Sequence, residues 1–101
     1  VHALLEGVPQ GLTLPEVGRR MAAVDGVESV HDLHIWSLSS RHAALSAHVV
    51  VRDLDAWPGI LSILLERLHA DFEIDHATLQ PELFKPILYA IDEPAKPLSR
   101  P

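Results

Sequence analysis

The order of apolar and polar positions divides the chain into five elements. Thr13 followed by Glu16 forms a capping-box pattern, with Pro15 tolerated in the first turn. Leu14, Val17, Met21 and Val24 then recur at helical spacing, with Arg19 and Arg20 outside the stripe, until Asp25-Gly26 ends the helix. Val27 to Leu38 is rich in β-branched and aromatic residues and predicts a strand, and Ser39, Ser40 and Arg41 predict a turn. A second strand is expected from Ala44 to Val51, with Leu45, Ala47, Val49 and Val51 on one face and Ser46 and His48 on the other. Asp55 is expected to cap a second helix, with Pro58 in its first turn and Ile60, Leu61, Leu64, Leu65, Leu68 and Phe72 as a broad apolar stripe. Ile74 to Glu82 predicts a third strand. Ala77 and Leu79 share one of its faces, and His76, Thr78, Gln80 and Glu82 share the other.

The order α-β-β-α-β predicts an α+β fold. The hairpin is antiparallel, while the strand-helix-strand crossover makes the third strand parallel to its partner. A three-stranded mixed sheet then carries both helices on one face and leaves the other face open, polar and rich in histidine. Three regions follow: a connector over 1–12, a folded domain over 13–82 and a proline-containing tail over 83–101. The tail joins four prolines to the apolar Ile87, Leu88, Tyr89 and Ile91 and is expected to pack on its own sheet or on a neighbour's.

Composition narrows the chemistry. At 101 residues and 48% hydrophobic, the chain suits one domain with one core. It begins at Val1, as expected of a piece of something longer. No apolar run approaches the ~20 residues that span a bilayer. Eight basic residues against fourteen acidic ones weigh against nucleic acid, whose binding rests on neutralising phosphates. With no cysteine there is neither a disulfide nor a thiolate ligand, so a metal site must use His, Asp and Glu. Seven histidines supply the material.

Convergence separates ligands from solvated histidines. Neighbouring strands lie ~4.8 Å apart, so His48 shares the open face with His76 and Glu82, and either can complete a chelating pair with it. On a regular strand His31 and His34 point to opposite faces. Parity places His34 on the open face with Asp32 and Trp36, and His31 reaches that face only beside a bulge or ahead of the regular strand. His42, in the turn, and His69, on the wet side of a helix, are expected simply to be solvated. Asp32, Asp75 or Glu82 could serve as base in a hydrolytic enzyme, but an uncovered sheet face offers little pocket, and no enzyme is expected.

Four segments, HDLHIWSL at His31–Leu38, LSAHVVV at Leu45–Val51, HATLQPE at His76–Glu82 and LLEGVP at Leu4–Pro9, resemble the cation diffusion facilitators, and most closely their bacterial cobalt–zinc–cadmium efflux branch. The resemblance implies the cytosolic C-terminal domain of an inner-membrane, proton-coupled efflux transporter. Such a domain is ferredoxin-like in topology, forms a homodimer, continues from a membrane transport domain and binds Zn²⁺, or alternatively Cd²⁺, Co²⁺ or Ni²⁺. Carried over residue by residue, the ligands fall on His31, His48 and Glu82, with His76 in a neighbourhood where some members have one. Gln80 stands where certain members carry histidine, which leaves room for His34. The competing expectation is a dimerisation scaffold whose histidines are incidental.

Overall fold

A computed structural model describes residues 12–39 and 42–85. The expected connector, apart from Leu12, the two residues of the expected turn at 40–41 and the tail beyond Lys85 lie outside the described residues.

Helix α1 spans Leu14–Ala22. Thr13 caps it by accepting a hydrogen bond from the Glu16 N–H at 3.3 Å. The other half of the capping box is not formed, because the Glu16 carboxylate accepts from Arg19 instead, at 2.6 Å. The chain leaves the helix through Gly26 at φ +95°, where a Cβ would stand 2.7 Å from Ile60 Cδ1. Glycine meets both the backbone and the packing requirement there.

Strands β1 (Val27–Ser39), β2 (His42–Val51) and β3 (Ile74–Leu83) form one sheet in the order β1-β2-β3. β2 is central, antiparallel to β1 and parallel to β3, as the crossover predicts. β3 runs one residue past the expected end of the domain, and Phe84 then donates to the Val51 carbonyl at 2.7 Å.

The start of the second helix differs from expectation. Asp53, not Asp55, is the capping side chain, and it accepts from the Asp55 N–H at 2.9 Å to begin a single 3₁₀ turn, Leu54–Ala56. Helix α2 follows over Trp57–Phe72 without a side-chain cap. The turn replaces the missing cap by engaging the first backbone groups in shorter-range bonds. The apolar stripe is also narrower than predicted: Ile60, Leu64 and Leu68 are buried, Leu61 and Phe72 are half-buried, and Leu65 stays 40% exposed. Leu65 lies about 100° round the helix from Leu64, at the edge of what a sheet can cover.

Both helices pack into one core. Val17 and Met21 from α1, Val24 just beyond it, and Ile60, Leu64 and Leu68 from α2 cluster with Leu45, Ala47, Val49 and Val51 of β2. Burying each of the larger side chains contributes about 1.5–3 kcal/mol. The alternate residues of β2, Ser46, His48 and Val50, are only half-buried on the other face. That face carries the candidate chemistry.

Candidate metal centre

His31 reaches the open face through a bulge. His31 is paired with His48 and His34 with Ser46, so β1 takes three steps where β2 takes two. The extra residue lies between them, where Asp32 takes φ +54°. Aspartate tolerates this left-handed conformation better than most residues, and one such residue in a bulge reverses strand parity. Val30 and Leu33 therefore both pack on the core, and His31 and His34 both lie on the open side.

β3 supplies the carboxylate. Gln80 is in register with His48, and Glu82 with Val50 two pairs further along. Glu82 accepts from His31 Nε2 on one oxygen at 2.8 Å and from His48 Nδ1 on the other. The two imidazole centroids are 5.1 Å apart. One ligand atom from each of His31, His48 and Glu82 lies within 4.8 Å of the other two, and among the described residues no other group of three meets that condition.

The electrostatics follow from this geometry. Hydrogen bonds from His48 and then His31 hold the Glu82 carboxyl below its ordinary range, so it is an ionised acceptor. The Glu82 bond, aided by charge from Glu82 and Asp32, holds the His31 imidazole above its ordinary value. Asp32 sits on the far side of both rings, 3.4 Å from His31 Nδ1 and 4.0 Å from His48 Nε2. One carboxylate thus faces the ligand side of the imidazole pair and a second faces its back.

Of the five expected ligands, the structure brings together His31, His48 and Glu82. His34 stands one rung away, lining with Asp32, His48, Thr78 and Gln80 a shallow hollow of about 300 Å³. His76 is on the expected face but opposite Ala44, while His48 faces Gln80. Four residues of strand, about 13 Å, separate His76 from that rung. Parity identified its face, and register decided its distance. Sequence reasoning put Asp32 on the open face with His34 and considered it only as a base, not as the group behind the His31 and His48 rings. His42 and His69, expected only to be solvated, instead both donate to Asp75, from their Nδ1 atoms at 2.9 and 2.7 Å. No local pattern joins these three, since β2, α2 and β3 each supply one.

Comparison with known proteins places this arrangement. The family model described as cation efflux protein, cytoplasmic domain, matches residues 9–84. The chain belongs to the cation efflux protein family. The metal cation efflux system protein CzcD of Cupriavidus metallidurans is 45% identical over 85 residues, which are 82% of this chain and 27% of that protein. The cadmium, cobalt and zinc/H⁺-K⁺ antiporter of Bacillus velezensis is 38% identical over 84 residues, 81% of this chain and 27% of the antiporter. The chain therefore spans about a quarter of the length of these efflux proteins. Among solved structures, the metal-bound C-terminal domain of the CzcD transporter from the same Cupriavidus species superposes with a TM-score of 0.65 at 41% identity, covering 71% of this chain and all of that domain. The α-β-β-α-β order and the three-stranded mixed sheet with two helices are those of the cation efflux C-terminal domain.

Proposed function

We propose that this chain is the cytosolic regulatory domain of a proton-coupled efflux transporter for Zn²⁺, Co²⁺ or Cd²⁺, that it binds such an ion through His31, His48 and Glu82, and that it forms a homodimer. The observation that carries the reading is the convergence of two imidazoles and one carboxylate within 4.8 Å on a sheet face that neither helix covers. Zinc takes nitrogen and carboxylate ligands at about 2.0–2.2 Å, which spaces the ligand atoms roughly 3.4 Å apart. His31 Nε2 and Glu82 Oε1, at 2.8 Å, need to part by only about half an ångström to admit an ion between them. The donor set suits zinc, cobalt, cadmium and nickel alike.

The chain's own residues also provide for the proton. His31 Nε2 and His48 Nδ1 donate to Glu82 in the metal-free state and must give up those protons to become ligands. The remaining ring proton then belongs on His31 Nδ1 and His48 Nε2, the atoms that face Asp32. A carboxylate behind the ring fixes its tautomer and orientation, as outer-shell groups do at metal-bound histidines. Three protein ligands leave a fourth position toward the open side of the sheet. An ion that binds the closed dimer better than the open one shifts the population by its differential affinity and by nothing more.

Zinc titration by calorimetry, with mass followed by light scattering, tests this on the wild-type chain and on a His31→Ala, His48→Ala double variant. Saturable uptake that is lost in the double variant, with a dimer that tightens on loading, is the expected result. A dimer whose mass and affinity ignore zinc, with equal uptake in both proteins, would reduce the domain to a scaffold.

A further inference from the structure

We propose that His42, His69 and Asp75 form a second divalent transition-metal site, at the opposite end of β3 from Glu82. Seven residues of strand, about 23 Å, separate Asp75 from Glu82, so one ion cannot use both carboxylates. The second site therefore stands or falls independently of the first.

The local chemistry repeats that of the first cluster. Each oxygen of Asp75 accepts from a different imidazole: Oδ2 from His42 Nδ1 at 2.9 Å, at the start of β2, and Oδ1 from His69 Nδ1 at 2.7 Å, in the last turn of α2. Two further features favour a cation. The three residues line, with Ala70 and Glu73, an open hollow of about 400 Å³ that, among the described residues, no lysine or arginine lines. Glu73 is also the left-handed C-cap of α2, so the hollow sits at the negative end of that helix dipole. Two imidazole nitrogens, Asp75 and a nearby second carboxylate are donors of intermediate hardness, suited to Zn²⁺, Co²⁺ or Ni²⁺ rather than to Mg²⁺ or Ca²⁺.

The site is less assembled than the first. Its three ligand atoms do not yet lie within 4.8 Å of one another, a condition met only by the His31 cluster among the described residues. Closing it requires the two imidazoles to swing together around Asp75. His42 and His69 are 55% and 71% exposed, so little packing opposes that movement. To ligate through Nδ1, each imidazole must give up the Nδ1 proton and carry its single remaining proton on Nε2. The ion then ties the end of α2 to the starts of β2 and β3, which hydrogen bonds through Asp75 already link. Binding is accordingly weaker than at His31, His48 and Glu82, where the cluster is formed before the ion arrives.

Zinc uptake by equilibrium dialysis, on the full 101-residue chain, tests the assignment in wild type, His42→Ala/His69→Ala, His31→Ala/His48→Ala and the combined variant. Each double variant is expected to lose a different one of the wild-type uptake steps, the His42/His69 variant losing the weaker. The combined variant is expected to lose both. Nitrogen-15 spectra of the imidazoles in zinc-loaded wild type supply a readout free of any folding defect: the His42 and His69 Nδ1 signals should move to metal-bound positions. Unmoved His42 and His69 signals at saturating zinc would overturn the second site, as would undiminished uptake by a folded His42/His69 variant. Loss of uptake only in the His31/His48 variant leaves the first site standing alone. Loss only in the His42/His69 variant removes the first and keeps the second.

Discussion

The two ends of β3 present the same donor set, two imidazoles and one carboxylate, in different states of readiness. At one end Glu82 engages two imidazoles whose ligand atoms already converge, and at the other Asp75 engages two whose ligand atoms do not. His31 and His48 are rung partners on hydrogen-bonded strands, with Asp32 behind both rings. His42 is the first residue of a strand, and His69 hangs from the end of a helix. Preorganisation thus comes from the elements that carry the ligands, and the ligand types alone do not provide it. A cluster built on paired strands needs little reordering to take an ion, whereas one built across three element ends must lose side-chain freedom first.

The largest effect that would break this comparison comes from beneath α2. Leu68 is 1% exposed, next to His69. Leu68→Ala should cost about 2–5 kcal/mol of stability, read from denaturant unfolding, because a large core side chain leaves a cavity. It should also loosen Asp75's hold on His69 while leaving the His31 and His48 ring signals in place. Equal disturbance of both clusters would show that they share one mechanical unit.

Next in size is His48→Ala. Zinc affinity at the first cluster should fall by more than about a hundredfold, beyond what loss of an outer-shell group costs, with the Asp75 cluster unaffected. Calorimetry showing unchanged affinity would remove His48 from the ligand set. Asp32→Asn probes the group that has no counterpart behind His42 and His69 among the described residues. Asparagine accepts the left-handed backbone, so the bulge survives while the charge is lost. The expected weakening is about tenfold, and an unaltered zinc isotherm would deny Asp32 any role in orienting the rings.

The smallest effect is the pH dependence of the metal-free chain. His31 is held above its ordinary 6.5, chiefly by Glu82, so its contribution to stability is full below that value and is lost as pH rises through the raised one. Glu82 is held below its ordinary 4.5, chiefly by His48, so its contribution is present above 4.5 and is lost as pH falls through the lowered value. Asp75, held below 3.8 chiefly by His69, adds a second loss in acid. Between about pH 5.5 and about pH 8, wild type in chelator should therefore lose more stability than His31→Ala. Coincident denaturation profiles would count against the His31–Glu82 pair. The proton that His31 retains also competes with metal, so zinc affinity should begin to fall at a pH somewhat above 6.5.

The elements, the buried face of each strand and the parallel placement of β3 were legible because each depends on local periodicity or on a general rule of chain connection. Thr13 as a cap, Leu45, Ala47, Val49 and Val51 as a core face, and the openness of the opposite face follow from spacing alone. The motif resemblance carried His31, His48 and Glu82, while strand parity by itself favoured His34 over His31. What periodicity could not supply was register and backbone sign. A single residue, Asp32 at φ +54°, turns His31 to the open face, and its conformation is stabilised by pairing with β2, fourteen or more residues further along the chain. Register likewise sets His48 beside Gln80 and leaves His76 beside Ala44, although both histidines have the right parity. The Asp75 cluster depends on where a helix ends relative to two strand starts, which only the packed core decides. Local sequence determines which way a side chain faces, and the energy of long-range pairing and packing determines whom it meets.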